Sequence, residues 1–140
     1  MKTPILLLLS FISLLLLSGC RSNDPGATDS LECVSGVIVG DKCGVFALKL
    51  DKRHTLPGKT WPKPVDKEGR RVLQDIDNVI GLSNLPGNLQ KDGIRVFVRL
   101  RKATDEESVI PCYTDMPPPP APVYIVLAAD DSGCPGDPDL

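Results

Sequence analysis

The sequence predicts a mainly β domain, and three observations support that prediction. Apolar and polar residues alternate over segments of strand length, most regularly from Ile94 to Leu100. Turns that contain glycine or proline separate these segments. Only one stretch, Asn84 to Gly93, has the start and end signals of a helical turn. We therefore expect a small five- to six-stranded OB-like open barrel, or alternatively a compact β-sandwich, with one short helical turn.

The first strands are predicted to form a hairpin. The apolar segments Leu31 to Val39 and Cys43 to Leu50 are joined by Gly40-Asp41, and glycine in the first position suits a type II′ turn. A third, irregular strand is expected from Arg71 to Ile80, because apolar residues alternate only weakly there.

The later strands are predicted from three segments. Ile94 to Leu100 would place one apolar face on the core, and Val109 to Tyr113 is expected to return as a strand that carries Cys112. Proline cannot donate to a ladder, so Met116 to Pro122 is expected to cross the domain as an extended segment. It leads to Val123 to Ala129, whose continuous apolar run predicts a strand buried on both faces.

Residues 1–19 have the composition of an export signal. Lys2 precedes an apolar run from Ile5 to Leu17 that is too short to span a bilayer comfortably. The run ends in Leu17-Ser18-Gly19-Cys20, which resembles the lipobox of bacterial lipoproteins. That resemblance implies cleavage before Cys20, a diacylglycerol on its thiol and an acyl chain such as palmitate on the new amine. The alternative is an ordinary signal peptide with an incidental cysteine.

Lipidation would anchor the protein to a bacterial membrane, with its domain in an oxidising, exported compartment. Residues 20–30 would then be the lipidated cysteine and a flexible tether, because turn-forming residues dominate them. The outer membrane is favoured, since Arg21 is not the aspartate that can signal inner-membrane retention. The chain is small and mildly acidic, with a net charge of −2, and a monomer is expected.

Four cysteines remain once Cys20 is assigned to lipid, and two disulfides account for them. The predicted hairpin register puts Cys33 and Cys43 on opposite faces, so they would not bond to each other. This favours the pairs Cys43 with Cys112 and Cys33 with Cys134, although Cys43 with Cys134 survives the same test. The pairing would fasten an acidic tail at residues 130–140. No metal site is expected, because the chain has no Cys-x-x-Cys pair and a single histidine.

Residues 51–71 are predicted to form a basic loop insertion in the domain at residues 31–129. Seven lysines and arginines there face only three acidic residues, and several prolines break regular structure. The candidate partner-binding residues in this segment are Arg53, Lys59, Trp61 and Lys63, since indole offers a flat apolar face and the cations attract anions. The alternative is a solvated insertion whose tryptophan folds back onto the domain.

Arginine and phenylalanine alternate on the polar face of Ile94 to Leu100. Arg95, Phe97 and Arg99 are further candidates for partner binding, in a pattern that could also suit single-stranded nucleic acid. An exported lipoprotein meets little nucleic acid, so that partner is not expected. A charged solvent face paired with neighbouring acidic residues is the competing interpretation.

The sequence favours a binding or structural module over an enzyme. His54 stands alone, no serine lies in a nucleophile elbow, and no catalytic residue or cofactor beyond the covalent lipid is expected. Two roles remain open. The module could be an accessory that binds a protein or glycan in the envelope, or a small inhibitor of an envelope or extracellular enzyme.

Several motifs together resemble the NigD-like bacterial lipoproteins. They are Cys43-Gly44 at the start of a strand, Asn84-Leu85-Pro86, the stretch from Asp92 to Val98, Cys112 and the terminal apolar strand. The resemblance implies envelope attachment and an OB-like β-barrel, and it implies little biochemistry. The chain departs from that pattern in residues 51–71, the polyproline segment, Cys33 and Cys134.

Overall fold

A computed structural model describes residues 33–113 and 117–136. The predicted leader and tether at residues 1–30 lie outside this part of the chain. Within it, no helix is both long and apolar enough to cross a membrane. Six strands make up the fold: β1 Val34–Lys42, β2 Val45–Leu50, β3 Lys59–Lys67, β4 Arg70–Ser83, β5 Arg95–Lys102 and β6 Val123–Asp130.

The strands form one mixed sheet in the order β2-β1-β5-β6-β4-β3. An additional β2–β4 pairing closes five of them into a hydrogen-bonded ring, and β3 lies outside it as the hairpin partner of β4. The β4–β6 pair is parallel and every other pair is antiparallel. The predicted mainly β fold is therefore confirmed, as a ring that is not a regular barrel.

The core lies inside this ring. Alternate residues of β1, β2, β4 and β5 point into it and are fully or almost fully buried, as the period-two pattern predicts. The predicted helical turn is present at Gly87–Leu89. Leu85, before the turn, and Leu89, at its end, are buried and pack into the same core.

The turn between β1 and β2 differs from the prediction. It lies at Cys43-Gly44, both with positive φ, instead of Gly40-Asp41. Two successive residues with positive φ suit the right-handed twist of a hairpin. Gly40 instead occupies a register shift within β1, where the six-membered ring of Trp61 would lie 3.1 Å from an added Cβ. Gly40 therefore lies in a β-bulge that packs against Trp61, and it is not part of the turn.

Both favoured disulfides are present. Cys33 pairs with Cys134 across 101 residues and Cys43 with Cys112 across 69. The prediction was correct although its register was wrong, because Cys43 lies in the turn itself and the end of the chain returns beside Cys33.

The predicted basic loop at residues 51–71 is only partly a loop. Residues 51–58 contain no strand, whereas Lys59–Lys67 forms β3. This strand pairs with β4 along its length, and the last pair before the hairpin turn is Lys67 with Arg70. Pro62 and Pro64 are tolerated because β3 is an edge strand, and residues two apart direct their missing N–H groups to the same, unpaired side.

The predicted strand at Val109 to Tyr113 is also not observed. Residues 103–113 form turns and irregular structure, and this segment is attached to the β1–β2 turn through the Cys43–Cys112 disulfide. Ala103 and Ile110 cover an apolar patch of β2 and β6 outside the main core. The disulfide and the packing of a few apolar side chains, not ladder pairing, hold the segment.

Candidate functional site

The outer face of β1 and β5 collects the chemically distinctive side chains. Cross-strand pairing places Ser35 opposite Phe97 and Val37 opposite both Arg95 and Lys49. Directly paired residues of antiparallel strands point to the same side of a sheet. A row of Lys49, Val37 and Arg95 therefore lies beside a row that contains Ser35 and Phe97. We call the surface formed by Lys49, Arg53, Arg95, Phe97 and Arg99 the cationic face.

Ser35 is the centre of a hydrogen-bonded cluster beneath this face. Its side chain is fully buried, and its hydroxyl donates to Asp51 Oδ2 at 2.6 Å. Arg53 donates from a terminal nitrogen to Ser35 Oγ at 2.8 Å, and Arg95 donates to Asp51 Oδ2 at 2.7 Å. One hydroxyl and one carboxylate thus hold two guanidinium groups in fixed positions, which is the geometry of charge-assisted hydrogen bonding.

His54 supplies a hydrogen-bond acceptor to β1 where β2 no longer pairs with it. The backbone N–H of Ser35 donates to His54 Nε2 at 2.9 Å, just where β2 ends at Leu50. The imidazole therefore replaces a strand partner for a buried backbone donor that would otherwise be unpaired. Since Nε2 accepts, the proton of the neutral ring lies on Nδ1.

The electrostatics of the cluster follow from these contacts. The hydrogen bond from Ser35, followed by that from Arg95, holds the pKa of the Asp51 carboxyl below its usual value. Burial, followed by the neighbouring charge of Arg53, lowers the pKa of His54. At neutral pH, Asp51 is therefore ionised and His54 is neutral. The two cations of the cluster, Arg53 and Arg95, outnumber its one anion, Asp51.

Serine, histidine and aspartate meet here, but their bonding does not match a nucleophilic triad. Ser35 Oγ and His54 Nε2 are 3.1 Å apart. However, the hydroxyl proton is directed to Asp51, and Nε2 already accepts from a backbone N–H. A nucleophilic serine needs an accessible oxygen, a base with a free lone pair and a carboxylate that orients the base. The cluster has the chemistry of a structural clasp between β1 and residues 51–54.

The remaining arginines of β5 differ in their availability. Arg101 binds Glu107 with two hydrogen bonds of 2.7 and 2.6 Å, and this contact, with the Thr104 backbone N–H, lowers the pKa of Glu107 to about 2. Glu107 therefore neutralises the charge of Arg101. Arg99 has a buried Nε that makes no hydrogen bond within residues 33–113 and 117–136, and its guanidinium lies close to Gly136.

The three other predicted binding residues lie on β3. Trp61 is buried, packs with Ala47 and Val79, and donates from Nε1 to the Pro118 carbonyl at 2.9 Å. Lys63 forms an ion pair with Asp92 at 2.6 Å, whereas Lys59 is exposed at the start of the strand. The structure thus brings Arg53, Arg95, Phe97 and Arg99 together and separates them from Trp61, whose position matches the folded-back alternative.

Sequence reasoning missed Ser35, Asp51 and Lys49. A buried serine inside an apolar strand was the available signal for Ser35, but its partners follow only from the true register. Among residues 33–113 and 117–136, no cluster of three metal-binding side chains occurs.

Comparison with known proteins gives no further guide to the site. Neither the protein-family models nor the curated proteins match this chain.

Proposed function

We propose that the protein is a lipid-anchored, non-catalytic binding module of the bacterial cell envelope. The lipobox-like Leu17-Ser18-Gly19-Cys20 and the resemblance to NigD-like lipoproteins support the anchor, a diacylglycerol and N-acyl chain on Cys20. The two disulfides fit an oxidising, exported compartment. The outer membrane is its proposed location, and the protein would act as a monomer.

The observation that carries the binding role is the preorganised cationic face. Arg53 and Arg95 are held by Ser35 and Asp51 before any partner arrives, so little side-chain entropy is lost when they bind an anion. Phe97, half-buried and opposite Ser35, adds an aromatic surface beside them. Such a surface suits recognition by charge, with no chemical step required.

A second candidate function is inhibition of an envelope or extracellular enzyme, and the β3–β4 hairpin favours it. Residues 66–75 are all exposed, including Val72 and Leu73 at 37% and 49%. Trp61 and the Lys63–Asp92 ion pair fasten the base of this hairpin to the domain. A rigid hairpin with exposed apolar side chains could bind in the cleft of an enzyme and inhibit it.

Two charge-matched triple variants distinguish the two surfaces. The first replaces Lys49, Arg95 and Arg99 by Gln, and the second replaces Lys67, Arg70 and Arg71 by Gln on the hairpin. Each removes one lysine and two arginines, so each controls for the other's change in net charge. Each full-length tagged lipoprotein is expressed in its host, the membranes are solubilised in neutral detergent, and the captured material is analysed for protein and sugar.

Loss of captured material in the first variant alone supports the binding role of the cationic face. Loss in the hairpin variant alone, with an enzyme as the captured protein, supports inhibition instead. Capture that is equal for both variants and the unmodified protein contradicts both surfaces. A deletion of residues 51–71 would not serve here, because it removes β3 and the clasp with it.

A further inference from the structure

We propose that the cationic face binds a linear acidic polysaccharide whose sugar rings carry carboxylates. This inference rests on the proposed binding function and names the chemical class of its ligand. It draws on the spacing of the cations, the position of Phe97 and the bonding already made by Arg95.

The cations are spread along β5 and across the sheet to β2. Arg95, Phe97 and Arg99 occupy alternate positions of β5 on one side of the sheet, so the two arginines lie about 13 Å apart with the aromatic ring between them. Lys49 lies two strands from Arg95, about 10 Å away. Charges separated by an aromatic spacer fit a polymer with repeated anions, rather than a single small anion.

Phe97 favours sugar over a charged peptide or a lipid surface. It is half-buried between Ser35 on β1 and Asp130 on β6, its partners in the register, and so does not project as a membrane-inserting side chain would. A flat aromatic face at the level of the sheet can pack against the C–H face of a sugar ring while guanidinium groups on either side reach its carboxylates.

Arg95 has unused donor capacity on the exposed side of the face. Arg95 uses one terminal nitrogen for Asp51, its side chain is 52% exposed, and a guanidinium has five N–H donors. Within the described residues, Asp51 leaves the other N–H donors of Arg95 free, and a ligand carboxylate would be their acceptor.

Affinity electrophoresis of the full-length lipoprotein in neutral detergent tests this proposal. The gel contains polygalacturonate, and the matched control gel contains the same polymer with its carboxylates methyl-esterified. We expect retardation by polygalacturonate only, and binding about tenfold weaker or more in the Lys49, Arg95 and Arg99 variant. The hairpin variant K67Q/R70Q/R71Q should bind like the unmodified protein. Phe97→Leu should weaken binding while retaining every charge.

Retardation that is equal in both gels, or unchanged in Phe97→Leu, would overturn the polysaccharide as ligand. So would competition by phosphatidylglycerol added to the micelles, because the face would then bind lipid headgroups. If polygalacturonate fails but membrane capture is still lost in the cationic-face variant, the binding role stands and only this ligand class is wrong. Failure of both experiments removes the proposed function as well.

Discussion

At the scale of single residues, Ser35 has the largest structural role. Replacing it by Ala removes the hydroxyl that bridges Asp51 and Arg53 in a fully buried position. We expect a loss of about 1–3 kcal/mol in the free energy of unfolding, measured by urea denaturation. Thr60→Ala is the matched control, because that exposed hydroxyl donates to Asp77 at 2.7 Å. An equal effect of the two substitutions would contradict the clasp.

His54 makes stability depend on pH in a defined window. The pKa of the unfolded histidine is about 6.5 and that of the folded one is lower, so the unfolded state binds more protons between these values. The free energy of unfolding should therefore fall as pH decreases below about 6.5. The lowered pKa of Asp51 adds a further loss only at more acidic pH, as that carboxylate is protonated.

The chain contains one histidine, so its pKa can be measured without ambiguity by NMR of the ring protons. We expect a midpoint below the usual value and a stability profile that becomes flat between pH 7.5 and 5.5 in His54→Gln. A midpoint at or above the usual value would show that Nε2 is not held by the Ser35 N–H. Neither residue's role could be predicted from sequence, because the clasp joins positions that only the ring brings together.

At the scale of elements, the long β3–β4 hairpin depends on Trp61. Trp61→Phe removes the hydrogen bond to Pro118 and leaves space beside Gly40, and we expect a loss of about 1–3 kcal/mol in unfolding free energy by circular dichroism. Leu73→Ala, on the exposed part of the same hairpin, is the control and should change little. Equal losses would mean that the tryptophan does not anchor the hairpin.

The elements also show what sequence patterns can predict. Alternation identified β5, because burial on one face leaves a direct pattern. The continuous apolar run identified β6, but only Val123 to Val126 are buried on both faces, and Leu127 is 49% exposed. The predicted position of the turn was wrong because Gly40-Asp41 and Cys43-Gly44 are both acceptable turn sequences. Gly40 lies in a bulge that contacts Trp61, and this tertiary contact is not visible in the local sequence. Pro62 and Pro64 concealed β3, because a strand that tolerates prolines is recognised only once its outer edge is known to be free.

At the scale of the whole molecule, one disulfide joins the two ends of the domain, and the other fastens residues 103–113 to the β1–β2 turn. Removing Cys33 and Cys134 together, as Ser, should lower the free energy of unfolding by about 4–5 kcal/mol in the chain-entropy model, and removing Cys43 and Cys112 should cost a similar amount. Urea denaturation measures both losses. Non-reducing peptide mapping is the check on connectivity, and recovery of a 33–43 bridge would contradict it.

The anchor makes a separate prediction at this scale. Growth with labelled palmitate should label the full-length protein and leave Cys20→Ser unlabelled. The described domain should fold identically in both, since residue 20 lies outside it. Labelling that persists without Cys20 would remove the anchor from the proposed function, while leaving the cationic face unaffected.

The most direct test of the binding role is photocrosslinking in the intact envelope. A photoreactive phenylalanine analogue is placed at Phe97 on the cationic face or at Val72 on the hairpin, in otherwise unmodified protein. We expect irradiation to give an adduct from position 97, lost when Lys49, Arg95 and Arg99 are replaced by Gln, and none from position 72. An adduct from position 72 alone would contradict a cationic face that contacts the partner.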